Sequence, residues 1–284
     1  MQPGQASRTI YRVAVLRAAH QILDESPRIF EDPIAVGLTP DASEAQIRAA
    51  AGDIRQPLQS RLRSMTLLRS RFVEDELAVA VARGVRQYTI LGAGLDTYPW
   101  RQPVAARALR IFHTDHPATM AVTDEVFRKR GLTHSSNLVR AGLDLEAPAL
   151  GARLAAMGFD GGAPAFFSML GLMQYLSHGA LDAIFELVAA LPRGSAVAFS
   201  FNPPDDHLAD GELEEARRSQ SRGRSLGEPW LSRPAPAELM VKLGALGFGR
   251  VFHLTPELAQ RRYFGSRGDG LAAPIFEQLM IAEV

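Results

Sequence analysis

Arg86 to Arg101 reads R-Q-Y-T-I-L-G-A-G-L-D-T-Y-P-W-R, and this stretch decides the fold. Tyr88 to Leu91 are β-prone and mostly apolar and run directly into Gly92-Ala93-Gly94, the pattern of a strand that ends in a glycine turn. A buried parallel strand ending this way is where an α/β sheet binds a nucleotide-like ligand. Glycine serves there because a Cβ would hold a ligand off the backbone and because the turn can require positive φ. The dinucleotide fingerprint adds a third glycine three residues after the second, where pyrophosphate meets a helix N-terminus. This chain has Thr97 there, which opposes NAD and FAD. It suits a cofactor whose adenosine is joined through sulfur rather than phosphate, as in S-adenosylmethionine. Taken alone, G-x-G fits any strand-to-helix turn of an α/β protein equally well.

A second strand-like run, Ala108 to Phe112, leads into His113-Thr114-Asp115-His116-Pro117. Asp115 therefore follows Gly94 by about twenty residues, the separation at which an acidic side chain meets a ribose diol. A carboxylate accepts both hydroxyl protons. L-G-A-G-L-D-T (Leu91 to Thr97) followed by T-D-H-P (Thr114 to Pro117) closely resembles the leucine carboxyl methyltransferase-like family of class I S-adenosylmethionine-dependent methyltransferases, in particular its bacterial branch. The resemblance extends over nearly the whole chain, through S-R-T (Ser7 to Thr9), R-S-R-F (Arg69 to Phe72), G-L-D-L (Gly142 to Leu145), F-F-S-M-L-G-L-M-Q-Y-L (Phe166 to Leu176), E-P-W-L-S-R (Glu228 to Arg233) and R-Y-F-G-S-R-G-D-G-L (Arg262 to Leu271).

The resemblance implies a Rossmann-like fold: a seven-stranded, mostly parallel sheet with an antiparallel last strand, helices on both faces and an N-terminal helical cap. It divides the chain into a cap region, 1–83, and a methyltransferase core, 84–284, with a lid-like insertion at 203–236. Several site residues follow in the same way. Arg69 would pair with the cofactor's carboxylate, for which an arginine fork is the matching shape. Asp144 would bond the adenine amine while Leu145 packs on the ring, and Arg8 and Tyr11 would reach substrate from the N-terminal segment. Leu170 stands where founding members of the family carry a glutamate that contacts the cofactor, and this departure leaves the acceptor open.

At 284 residues the chain can bury one large core or a core with a small appendage. A formal net charge of zero points to neither nucleic acid nor an acidic membrane surface as partner. There is no cysteine, which excludes disulfides, thiolate metal sites and a cysteine nucleophile and fits a reducing cytosol. No apolar run reaches the about eighteen to twenty residues that span a bilayer, and Met1-Gln2-Pro3-Gly4 does not begin a secretory leader. A cytoplasmic location is the expectation.

Taken in order, Thr9 to Leu23 carries a helical stripe at Ile10, Val13, Ala14, Leu16 and Ala18, with Arg12 and Arg17 off it and Ser7 as N-cap. Ala42 to Pro57 has few large apolar residues and reads as a mobile loop. Leu58 to Ala82 is a long helix. Further strands are expected at Asn137–Arg140, Ala163–Leu170, Ser195–Phe201, Gly249–Leu254 and Ile275–Val284, the last two forming an antiparallel edge. Helices are expected at Ala118–Arg130, Leu150–Met157, Leu181–Leu191 and Ala237–Leu246, with a short helical stretch near Glu212–Arg218. Tyr175, just past the fourth strand, is the first choice for the methyl-transfer locus, and Trp230 is the aromatic of the insertion placed to touch substrate. Asn202-Pro203-Pro204 looks like an element of enzymes that methylate nucleic-acid bases, but it follows the fifth strand instead of the fourth. His113 and Asp115 share one strand face while His116 takes the other, so no metal site is expected there.

A sulfonium already makes its methyl group electrophilic, so the protein's task is position. A carboxylate acceptor arrives ionised, whereas a hydroxyl needs a base. The sequence thus points to an O-methyltransferase of a small molecule, with a carboxylate as the favoured acceptor, in secondary metabolism. Two alternatives stand beside it. Leu170 motivates an inactive cofactor-binding scaffold or regulator, and the G-x-G turn admits an NAD-dependent oxidoreductase, opposed by Thr97 and by the antiparallel edge.

Overall fold

A computed structural model describes residues 10–132, 135–208, 210–225, 227–265 and 267–284. Seven strands form one sheet in the order β3-β2-β1-β4-β5-β7-β6. They are β1 (Gln87–Leu91), β2 (Arg110–Asp115), β3 (Leu138–Gly142), β4 (Ala165–Met169), β5 (Ala196–Phe201), β6 (Arg250–Leu254) and β7 (Gln278–Glu283). Neighbours from β3 through β5 pair in parallel, and β7 runs antiparallel to both β5 and β6. The antiparallel edge is as anticipated, and it separates this sheet from the all-parallel dinucleotide-binding type.

The central strands β1, β4 and β5 are mostly apolar because both of their faces are covered. Alternate residues divide between two layers. Tyr88, Ile90, Ile111 and Phe166 pack with Leu67, Leu68, Phe72 and Leu77 of the long helix α4 (Pro57–Ala82). Leu91, Phe112, Phe167 and Phe199 face the other way, against Leu154, Leu181, Phe185 and Leu243. The adjacent phenylalanines Phe166 and Phe167 thus serve opposite faces, as the period of two requires.

The helices are α1 (Ile10–Leu23), α2 (Glu44–Ala49), α3 (Ala51–Ile54), α4 (Pro57–Ala82), α5 (Tyr98–Arg101), α6 (Pro117–Lys129), α7 (Leu150–Ala156), α8 (His178–Ala189), α9 (Asp210–Ser225), α10 (Pro236–Ala245) and α11 (Pro256–Ala259). The strand order turns back between β1 and β4, so the carboxyl ends of these two strands border the switch-point crevice.

Three local readings are corrected. The 42–57 segment forms α2 and α3, because Ile47, only 1% exposed, docks against Ala18, Ala19 and Ala35 while Ser43 caps the Gln46 N–H. β2 extends to Asp115 because pairing with β1 on one side and β3 on the other carries the ladder past Phe112. α9 runs through sixteen residues, well beyond Glu212–Arg218.

Buried charge fastens the N-terminal helix to the rest. Asp24 receives both Nε and Nη2 of Arg63, at 2.6 and 2.9 Å, and Nδ1 of His20 at 2.8 Å. His20 Nε2 accepts the Ile29 N–H at 3.1 Å, so the ring's proton is on Nδ1. Arg17, expected off the apolar stripe, is 2% exposed and pairs with Asp32 at 3.1 Å.

Candidate active site

The turn after β1 is built for close approach. Gly92 and Gly94 have φ of +71° and +50°, where a side chain is strained. A Cβ on Gly92 would lie 2.7 Å from Leu172 Cδ2. The Ala93 N–H donates to Thr114 O at 2.9 Å, which ties the turn to β2. Asp115 braces it further, accepting from Gly94 N–H at 2.8 Å and from His116 N–H at 2.7 Å. Each carboxylate oxygen keeps a lone pair for a ligand. Burial raises the pKa of Asp115, and the two backbone donors offset this in part.

Nine of the residues expected at the cofactor and methyl-transfer site line one cavity of about 350 Å³: Arg69, Gly92, Ala93, Gly94, Asp115, Asp144, Leu145, Leu170 and Tyr175. Its volume falls within the range of about 300–1,000 Å³ of small-molecule sites. At the β3 end, Asp144 Oδ1 accepts the Glu146 N–H at 3.0 Å, and Arg153 donates to the carbonyls of Asp144 and Ala147 at 2.6 and 2.7 Å. Glu146 in turn accepts from the N–H and hydroxyl of Ser177, at 2.8 and 2.6 Å, so this loop is pinned to the start of α8.

At the β4 end, Arg69 is 8% exposed, with Nη1 3.3 Å from Glu277 Oε1. Gly171, with φ +62°, leaves its guanidinium room, since a Cβ there would overlap Nη1. Tyr175 sits on the 3-10 turn Met173–Tyr175. Burial raises its pKa, and the negative charge of Glu228 adds to the effect. Leu231 N–H reaches Gln174 O at 2.6 Å and fastens the insertion to this turn.

Other expected residues lie elsewhere. Tyr11 is 37% exposed and does not line the cavity; the first helix presents Ile10, Val13 and Arg17 to it instead. Trp230 is also outside the lining, although its side chain reaches the hydroxyl of Tyr175, and the Arg233 guanidinium lies 5.8 Å from its ring centroid. Arg8 and Ser7 lie outside the described residues. Asn202 donates to Phe276 O at 2.7 Å, so it braces the approach to β7. Sequence reasoning missed Arg17 and Glu228. The first sits off the apolar stripe, and the second stood in the E-P-W-L-S-R segment, where the aromatic was chosen.

The donors suit one cofactor shape. Asp115 and Asp144 at one end fit a ribose diol and an adenine amine, and Arg69 at the other fits a carboxylate. Leu145, Leu170 and Leu172 give apolar walls, and a carboxylate oxygen of Glu228, unpartnered among the described residues, remains for a positive charge. Fold and site together are those of a class I S-adenosylmethionine-dependent methyltransferase. The family model of leucine carboxyl methyltransferases matches residues 10–189, and the chain belongs to that family.

Among curated proteins, YktD of Bacillus subtilis, assigned as an S-adenosyl-L-methionine-dependent methyltransferase, is 28% identical over 294 residues, covering 96% of each chain. A protein of Mycobacterium avium with the same assignment is 31% identical over 224 residues, which are 75% of this chain and 70% of the relative. Of solved structures, one of a Thermobifida fusca protein described as a methyltransferase superposes with a TM-score of 0.59 at 18% identity, over 99% of this chain and 96% of that one. A Streptomyces avermitilis structure of the duf574 family gives 0.58 at 15% identity, over 94% and 96%. These two likenesses carry the fold. The chain is thus a methyltransferase, and the NAD reading is set aside.

S-adenosylmethionine supplies an electrophilic methyl group on sulfur. The residues of this chain have the remaining tasks: to hold the donor, to seat an acceptor and to exclude water.

Proposed function

We propose that this chain methylates an oxygen atom of a small molecule in secondary metabolism, with a carboxylate as the favoured acceptor. The observation that carries the reading is the single cavity that Arg69, Asp115, Asp144 and Tyr175 line together. The same proposal assigns Arg69 to the donor's carboxylate, Asp115 to the ribose, and Asp144 with Leu145 to the adenine. It places Tyr175 at the acceptor and makes 203–236 a lid over it. A carboxylate needs no base, and among the described residues the one imidazole lining the cavity, His116, uses Nδ1 to accept the Ala118 N–H at 3.2 Å. No described helix is long and apolar enough to cross a membrane, and the absence of cysteine suits our assignment of the reaction to the cytoplasm.

The test is a transfer assay with methyl-labelled S-adenosylmethionine and matched sets of carboxylic acids, phenols and amines. Label that alkali releases as methanol marks an ester and supports the carboxylate. Alkali-stable label in phenols makes the acceptor a hydroxyl, and label confined to amines overturns oxygen transfer.

A further inference from the structure

Glu228 follows α9, and its N–H donates to Gly223 O at 2.8 Å. Its side chain lines the same cavity as Arg69 and Asp115, although the residue is only 6% exposed. Its Oε2 is buried and has no hydrogen-bond partner among the described residues. An ionised carboxylate left unpaired in a protein interior is costly, so a group held this way calls for a cation. The described cations that line the cavity are committed elsewhere, Arg17 to Asp32 and Arg69 to Glu277.

The methyl donor brings two positive charges, an ammonium and a sulfonium. The ammonium is bonded to the same carbon as the donor's carboxylate, whose place is at Arg69. Arg69 makes its ion pair with Glu277 and not with Glu228. Glu228 instead belongs with the turn that carries Tyr175: the Leu231 and Ser232 N–H groups bind its segment to Gln174 O at 2.6 and 3.4 Å. A sulfonium offers no N–H and makes no directional demand, so an unpartnered carboxylate oxygen answers it by charge alone.

We propose that Glu228 is the counter-charge of the donor's sulfonium and makes this chain prefer S-adenosylmethionine to its product, S-adenosylhomocysteine. The proposal rests on the donor assignment above. When the acceptor oxygen bonds the methyl carbon, the carbon–sulfur pair stays on sulfur and the positive charge there disappears. Glu228 then loses its partner, which favours release of the product.

Calorimetric titration of the full chain and of Glu228→Gln with each sulfur nucleotide tests this without an acceptor. S-adenosylmethionine affinity is expected to fall about tenfold or more in Glu228→Gln, with S-adenosylhomocysteine held within about threefold. Retained product binding also shows that the site is folded. Equal loss for both ligands would overturn the proposal and assign Glu228 to the shared amino-acid end or to folding. Unchanged binding of both would overturn it in favour of a role toward the acceptor. If the unsubstituted chain binds neither nucleotide, the donor assignment itself fails.

Discussion

Arg69 Nη1 and Glu277 Oε1 stand 3.3 Å apart across 208 positions of sequence, joining the long helix α4 to the residue that precedes β7. Both side chains are nearly excluded from solvent, so the pair holds the guanidinium at the cavity in one orientation. Glu277→Gln keeps the shape and removes the charge. It is predicted to weaken S-adenosylhomocysteine binding by about 1–3 kcal/mol. Methylthioadenosine, which lacks the amino-acid end, should bind unchanged, and calorimetry on both ligands checks this.

Gly171→Ala places a methyl group against Arg69 at a backbone φ of +62°. The strained conformation alone is expected to cost about 1–2 kcal/mol of stability, read from urea unfolding. Cofactor affinity should fall further than stability, because the side chain displaced is the one proposed above to pair with the donor's carboxylate.

Burial holds the pKa of Asp115 above the ordinary carboxylate value. The ionised form is the one able to accept both protons of a ribose diol, the role proposed for it. Affinity for S-adenosylmethionine should therefore be full at neutral pH and decline as pH falls through the raised pKa, before exposed carboxylates protonate. Asp115→Ala should bind too weakly to measure, and an unchanged affinity would remove Asp115 from the ribose site.

Asp24 is the shared anchor of Arg63 and His20. Asp24→Ala leaves the fully buried Arg63 guanidinium without its counter-charge, which typically costs about 3–5 kcal/mol. Chemical unfolding should show that loss.

The parts of the fold that were legible in sequence are those where one physical demand acts alone. β1, β4 and β5 are covered on both faces and read as mostly apolar runs. The Gly92–Gly94 turn has its signature because side chains are sterically costly there. The obscure parts are those where a distant partner decides. Ile47 draws its short helix inward only because Ala18, Ala19 and Ala35 offer a seat. Arg17 faces the core because Asp32 waits there, fifteen residues further on and invisible to helical periodicity. Glu228 and Trp230 stand two residues apart, and the aromatic was the louder signal, yet the carboxylate is the one that faces the cavity.

β7 lies between β5 and β6 and hydrogen-bonds to both. During synthesis it leaves the ribosome after both of its neighbours, so a nascent chain presents two open strand edges until β7 emerges. Such edges invite pairing with other chains. Slow translation of the last stretch, or an added segment that keeps β7 from sliding home, should therefore show first as aggregation of newly made protein and only later as loss of methyl transfer.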